Sequence, residues 1–205
     1  MRGARLYAIL DLGYVAVEDV VDKTRALLAG GAQLLQLRAK GVDRDTVRKV
    51  ARELMPICRE STIPFILNDD PQLAAELDAD GVHIGQDDGS LLNARAIVGE
   101  GKLIGRSTHS LDQARAALKE GFDYIGFGPL YPTPTKRGRP GIGTHDIVQM
   151  EREVGCKIPA FCIGGINRGN LEDVLTAGAT RVVIVSDLLT DEDTKAATAE
   201  VVARL

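Results

Sequence analysis

Short apolar runs of strand type recur along the chain: Leu6–Leu10, Gln33–Leu37, Pro64–Leu67, Gly81–Ile84, Lys102–Gly105, Tyr124–Phe127, Ala160–Ile163 and Arg181–Val185. Between them, apolar residues fall three and four apart, as at Val17, Val20, Val21 and Leu28 and again at Val47, Val50, Leu54 and Ile57, the repeat of a helix that buries one face. Helix punctuation agrees. Ser110 with Gln113 makes a capping box, Asp70-Pro71 supplies a cap and a first-turn proline, and Asn167 is placed to cap the helix bearing Leu171, Val174 and Leu175. Gly30-Gly31, Gly121 and Gly178 close helices just ahead of the next strand. Strict alternation with right-handed crossovers permits an open doubly wound sheet or a closed barrel, and eight strand–helix units favour closure. The predicted fold class is α/β, a single-domain (β/α)8 TIM barrel over residues 1–205, near the lower size limit of about 200 residues and without a linker.

One segment breaks the alternation. After Tyr124-Ile125-Gly126-Phe127 the chain runs from Gly128 to Gly143 through prolines and glycines that no helix or central strand tolerates, so it is a loop. Its prolines limit the unfolded states it loses, which lets a long loop be shaped as well as open. The hydroxyls of Thr133 and Thr135, the cations Lys136, Arg137 and Arg139 and the glycine amides suit an anionic, phosphorylated ligand; the alternative is a surface flap.

Composition narrows the function. With 44% hydrophobic and 26% charged residues, the 205-residue chain can build one substantial core. A formal charge of -4 and 4% aromatic residues without Trp argue against nucleic acid as a partner. Cys58, Cys156 and Cys162 are odd in number and lack metal-type spacing, which reads as reduced thiols in the cytoplasm. The first apolar run is short and ends at Asp11, too little for a signal peptide or membrane span. A soluble protein with small-molecule ligands and no membrane partner is expected, and a homo-oligomer is compatible with the sequence.

If the barrel closes, each polar cluster follows the C-terminal end of a strand, the face on which barrel active sites lie. After the second strand, alternation sends Gln36, Arg38 and Lys40 to one side; cations at a barrel mouth need a compensating anion, either a ligand or a carboxylate in an internal ion pair. Asn68-Asp69-Asp70 and Gln86-Asp87-Asp88 follow the third and fourth strands. Carboxylates there suit a hard divalent cation, magnesium foremost, although Asp70 and either Asp87 or Asp88 could instead cap helices. After the fifth strand, Ser107, Thr108 and His109 are candidate ligand contacts; histidine is a residue type suited to acid–base work, but His109 shows no orienting carboxylate in the sequence, and His83 and His145 read as structural. Gly164-Gly165 and Ser186, after the last two strands, mark a phosphate site.

In this order the segments Gln36-Leu37-Arg38-Ala39-Lys40, Asn68-Asp69-Asp70, His83-Ile84-Gly85-Gln86-Asp87-Asp88, Gly128–Lys136, Ile163-Gly164-Gly165-Ile166 and Val185-Ser186 resemble the thiamine-phosphate synthases, also called thiamine-phosphate pyrophosphorylases. The resemblance runs from Tyr7 to about Leu189. It implies a transferase of thiamine biosynthesis. Diphosphate leaves 4-amino-2-methyl-5-(diphosphooxymethyl)pyrimidine and the ring nitrogen of a thiazole phosphate (hydroxyethylthiazole phosphate or its carboxylated form) replaces it, a dissociative displacement assisted by magnesium that gives thiamine phosphate. The resemblance further implies that Gln36, Leu37, Arg38, Ala39, Lys40, Asn68, Ser107 and Lys136 bind the pyrimidine diphosphate. Thr133, Pro134, Thr135, Gly165, Val185 and Ser186 would bind the thiazole phosphate, Asp69 and Asp88 the Mg2+, with Lys136, Arg38 and Ser107 as the catalytic set. No activated Ser, Cys or His pair is evident, so stabilising the departing diphosphate is the main task. Related barrels that act as thiazole tautomerases use a histidine and resemble the Ser107-Thr108-His109 segment; the presence of Asp69, Asp88, Thr133, Thr135 and Lys136 favours the synthase. A non-catalytic phosphate-ligand sensor is a third reading. Arg106 and Gly141-Ile142-Gly143 receive no role from the sequence.

Overall fold

In the computed structural model, which describes residues 1, 3–133 and 140–205, the eight apolar runs are parallel strands closed into one barrel in sequence order. They are β1 (Leu6–Asp11), β2 (Leu34–Arg38), β3 (Phe65–Asn68), β4 (Gly81–Ile84), β5 (Leu103–Thr108), β6 (Tyr124–Phe127), β7 (Ala160–Cys162) and β8 (Val182–Ile184). Closure is made by β1 against β8, with Leu6 beside Val182, Tyr7 beside Val183 and Ala8 beside Ile184. The helices described are α1 (Val20–Ala29), α2 (Arg44–Glu60), α3 (Pro71–Leu77), α4 (Leu91–Val98), α5 (Leu111–Glu120), α6 (Ile147–Met150), α7 (Leu171–Thr176), α8 (Ser186–Leu189) and α9 (Thr194–Arg204), with α6 continuing into a π turn at Glu151–Gly155.

Side chains alternate across each strand, and this alternation sorts the apolar residues into two cores. Leu6, Ala8 and Leu10 of β1 face outward and join the layer between barrel and helices, while Tyr7 and Ile9 face inward. The inner core is aromatic. Tyr7, Tyr124 and Phe161 meet edge to face, with centroids 5.3 to 6.1 Å apart. Gly105 leaves room for these rings, since a Cβ there would lie 2.1 Å from the Tyr124 ring and 2.6 Å from His83 Nδ1.

Two of the three anticipated caps stand where the sequence puts them. Asp70 Oδ1 accepts from Leu73 N at 2.8 Å ahead of Pro71, and Ser110 Oγ accepts from Gln113 N at 3.2 Å. The third differs. α7 begins after Asn170, not after Asn167, because Asn167 Oδ1 is used inside the preceding turn, accepting from Gly169 N and Asn170 N. Val17 lies in a 3-10 turn before α1 and is 43% exposed, so it falls outside the buried stripe. No described helix is long and apolar enough to cross a membrane.

Candidate active site

Going toward the C-terminal ends of the strands, inward positions change from apolar to polar. Leu34 gives way to Gln36 and Arg38, Ile66 to Asn68, Ile9 to Asp11, and Gly105 to Ser107. The result is a cavity of about 290 Å³ floored by Tyr7 and walled on one side by Gln36, Arg38, Asn68 and Ser107, on the other by Gly164, Gly165, Val185 and Ser186. A second cavity of about 300 Å³ adjoins it through Asn68 and is lined by Ala39, Lys40, Asp69 and Asp70 among others.

A hydrogen-bonded chain crosses the floor. Gln36 Nε2 donates to the Tyr7 hydroxyl, which lies 3.1 Å from that of Tyr124; Tyr124 lies 3.2 Å from His83 Nδ1, and His83 Nε2 lies 3.0 Å from Ser107 Oγ. Burial keeps both phenols protonated far above their usual range. When Tyr7 in turn donates to Tyr124, the protons run one way, Tyr124 to His83 Nδ1 and His83 Nε2–H to Ser107. This leaves the Ser107 proton available to the cavity. His83, which the sequence reads as structural, is therefore part of the site's floor.

Both cations of the β2 motif have carboxylate partners, the internal ion pairing that the sequence left open. Arg38 Nη1 lies 2.5 Å from Asp11 Oδ2, and Asp11 is buried at the C-terminal end of β1, where it also accepts from Gly13 N at 2.9 Å. Lys40 pairs with Asp69. Asp69 sits at the end of β3 with φ 64°, and its side chain reaches Asp88 from the loop after β4. Burial raises the Asp69 carboxyl above its ordinary value, with Asp88 adding to the rise and Lys40 opposing it. Burial works the same way on Asp88, but the Gly85 N–H, the bond with Asp69 and the charges of Lys40 and Arg106 outweigh it and hold Asp88 low. Asp69 Oδ2 is buried without an aligned hydrogen bond despite the Lys40 ammonium beside it. Two carboxylates that abut at the end of β3 and in the loop after β4, one of them buried, are a donor set that a hard cation fits. No third His, Cys, Asp or Glu joins them among the described residues.

The helix caps release Asp88 for this pairing. Ser90 Oγ, and neither Asp87 nor Asp88, accepts from Asn93 N to cap α4, whereas Asp70 does cap α3 and also pairs with Arg44. Leu37 points away from the first cavity into the helix layer and lines only the second, and Thr108 is buried with its hydroxyl donating to Gly126 O at 3.0 Å. Thr133 lines the cavity; Pro134, Thr135 and Lys136 lie outside the described residues. The unassigned Gly141-Ile142-Gly143 segment anchors the returning end of that loop, with Ile142 N donating to Pro129 O at 2.8 Å and Gly143 N to Leu130 O at 3.0 Å. His109 also lines the cavity. Its Nδ1–H donates to Gly128 O at 2.5 Å, so a backbone carbonyl orients it.

A closed parallel barrel carrying its polar cavity at the C-terminal strand ends has the layout of a barrel enzyme. The chain belongs to the thiamine monophosphate synthase family, whose model matches residues 6–188. It is 43% identical over 178 residues to the thiamine-phosphate synthase of Thermus thermophilus, covering 87% of this chain and 85% of that one. To the synthase of Shouchella clausii it is 38% identical over 205 residues, covering 100% and 98%. Among solved structures, thiamine phosphate pyrophosphorylase from Pyrococcus furiosus superposes with a TM-score of 0.86 at 32% identity, covering 98% of this chain and 94% of that chain. The transferase of thiamine biosynthesis expected from the sequence is thus supported by both kinds of relative.

Proposed function

We propose that the chain joins 4-amino-2-methyl-5-(diphosphooxymethyl)pyrimidine to a thiazole phosphate, releasing diphosphate and forming thiamine phosphate. The observation that carries the reading is the convergence at one barrel mouth of the Asp69–Asp88 pair, the cations Arg38 and Lys40, and the cavity wall of Gly165 and Ser186. Gln36 and Ser107 are placed to hydrogen-bond the aminopyrimidine ring, with the His83–Tyr124–Tyr7 chain fixing their orientation. Arg38, Lys40 and Asn68 hold the diphosphate, joined by Lys136, and Leu37 and Ala39 contribute backbone only. Thr133, Pro134 and Thr135 with Gly165, Val185 and Ser186 receive the thiazole phosphate and hold its ring nitrogen in line. Apolar Pro129, Ile163 and Ile166 exclude water that would otherwise capture the electron-poor methylene. Asp69 and Asp88 are the residues that would hold Mg2+, which supplies positive charge to the departing diphosphate.

In this reading the catalytic residues are Arg38, Lys136 and Ser107, and chemistry depends on stabilising a leaving group more than on any nucleophile. Synthesis measured with both substrates should stop when a chelator removes divalent cations and return when magnesium is restored. Asp88→Asn should lower turnover about 100-fold or more at fixed magnesium, the scale of losing one preorganised electrostatic contact. Undiminished thiamine phosphate formation in excess chelator would reject the metal assignment. His109 at the cavity supports one competing reading, a thiazole tautomerase, which differs in releasing no diphosphate.

A further inference from the structure

Arg106 lies on β5 between the inward positions Gly105 and Ser107, so its side chain leaves the barrel on the outer side. Its guanidinium rests over the Phe122 ring, 5.3 Å from the centroid. From there Nη1 donates to Gly85 O and to Gly89 O, both at 2.8 Å, and Nη2 reaches Gln86 O at 3.4 Å. One planar fork therefore ties together the two ends of the loop at residues 85–89. That loop carries Asp88, and its fold brings the Asp88 carboxylate back onto Gly85 N at 2.7 Å. The approach is tight: a Cβ at Gly85 would lie 2.7 Å from Asp88 Oδ2. A lysine could not replace this arrangement, because an ammonium on a flexible stem lacks the rigid set of diverging donors that spans several carbonyls.

We propose that Arg106 is a positioning residue for divalent-cation binding, holding the loop after β4 so that Asp88 stays against Asp69. The inference rests on the reading of Asp69 and Asp88 as the cation pair. Arg106 touches neither substrate nor metal in this account. Its effect passes through the carbonyls of Gly85 and Gly89 to a carboxylate, as outer partners of a metal site do elsewhere.

The test is a titration of the full chain with Mn2+ alone, reading free Mn2+ by electron paramagnetic resonance, in the wild type, Arg106→Lys, Arg106→Met and Asp88→Asn. Arg106→Lys and Arg106→Met are expected to bind about tenfold or more weakly with the number of sites unchanged, and to need correspondingly more magnesium for half-maximal synthesis while the KM for thiazole phosphate stays put. A purely structural role would lower the number of competent sites and leave the affinity of those remaining intact, which would overturn the proposal. Wild-type affinity in Arg106→Met would overturn it too, with the Asp69–Asp88 reading still standing. If Asp88→Asn binds Mn2+ as tightly as the wild type, the cation-pair reading falls and takes the Arg106 role with it. Gly85→Ala disturbs the same carboxylate with Arg106 left in place. It should weaken binding as well, and unchanged affinity in a folded Gly85→Ala protein would show that loop geometry does not set the site.

Discussion

Asp11 shows most plainly what single residues concealed. In the sequence it only ends an apolar run; its partnership with Arg38 depends on the register that sets the two side by side across β1 and β2, which no local pattern encodes. Neutralising one member of so buried a pair removes its ionic contact, so Asp11→Asn should cost about 3 kcal/mol. For a chain of this size that lowers the melting temperature by roughly 6–12 °C, measurable by calorimetry. The cysteines give a second check. Cys58 and Cys162 are buried and Cys156 is exposed, so a thiol reagent should label one site in the native protein and all three after denaturation. Burial, with Asp80 assisting, pushes the Cys58 thiol up to about 12. Its folded value thus lies above the ordinary 9, so the unfolded chain loses the proton first. This contribution to stability is complete below pH 9 and is lost as the pH rises toward 12, a decline that Cys58→Ala should lessen in denaturant titrations.

Elements were legible where their signals are local. Helix caps made of one side chain and one amide were read correctly at Asp70 and Ser110, and the glycine stops at Gly121 and Gly178 take the positive φ expected of them. Elsewhere the residues named from the sequence are not the caps: Asn170 and not Asn167 precedes α7, and Ser90 and neither Asp87 nor Asp88 caps α4. The division of labour between Ser90 and Asp88 has a measurable consequence. Ser90→Ala should cost about 1 kcal/mol of stability by uncapping α4, with little effect on cation binding. Asp88→Asn should do the reverse, weakening the cation site while leaving the melting temperature unchanged or raised, because it relieves a carboxylate pair.

Across the whole molecule, eight regularly interrupted apolar runs favoured a closed barrel over an open doubly wound sheet, and the strands do close in sequence order. Which face of each strand looks inward was not readable over most of its length. Strands buried on both faces are apolar throughout, and alternation surfaces only where the inner positions turn polar near the mouth. That is why alternation placed Gln36 and Arg38 correctly, and why His83, flanked by apolar residues, passed for structural. The floor chain from Gln36 to Ser107 joins five different strands, a relation visible only once the barrel is closed.

The most direct test of the account supplies the purified protein with the pyrimidine diphosphate, a thiazole phosphate and magnesium, and quantifies thiamine phosphate and diphosphate in the same reaction. Equal amounts of the two products, formed only while the divalent cation is present, are predicted. Diphosphate without thiamine phosphate, neither product, or synthesis that persists after chelation would contradict the claim that this barrel mouth joins the two halves around a metal-stabilised leaving group.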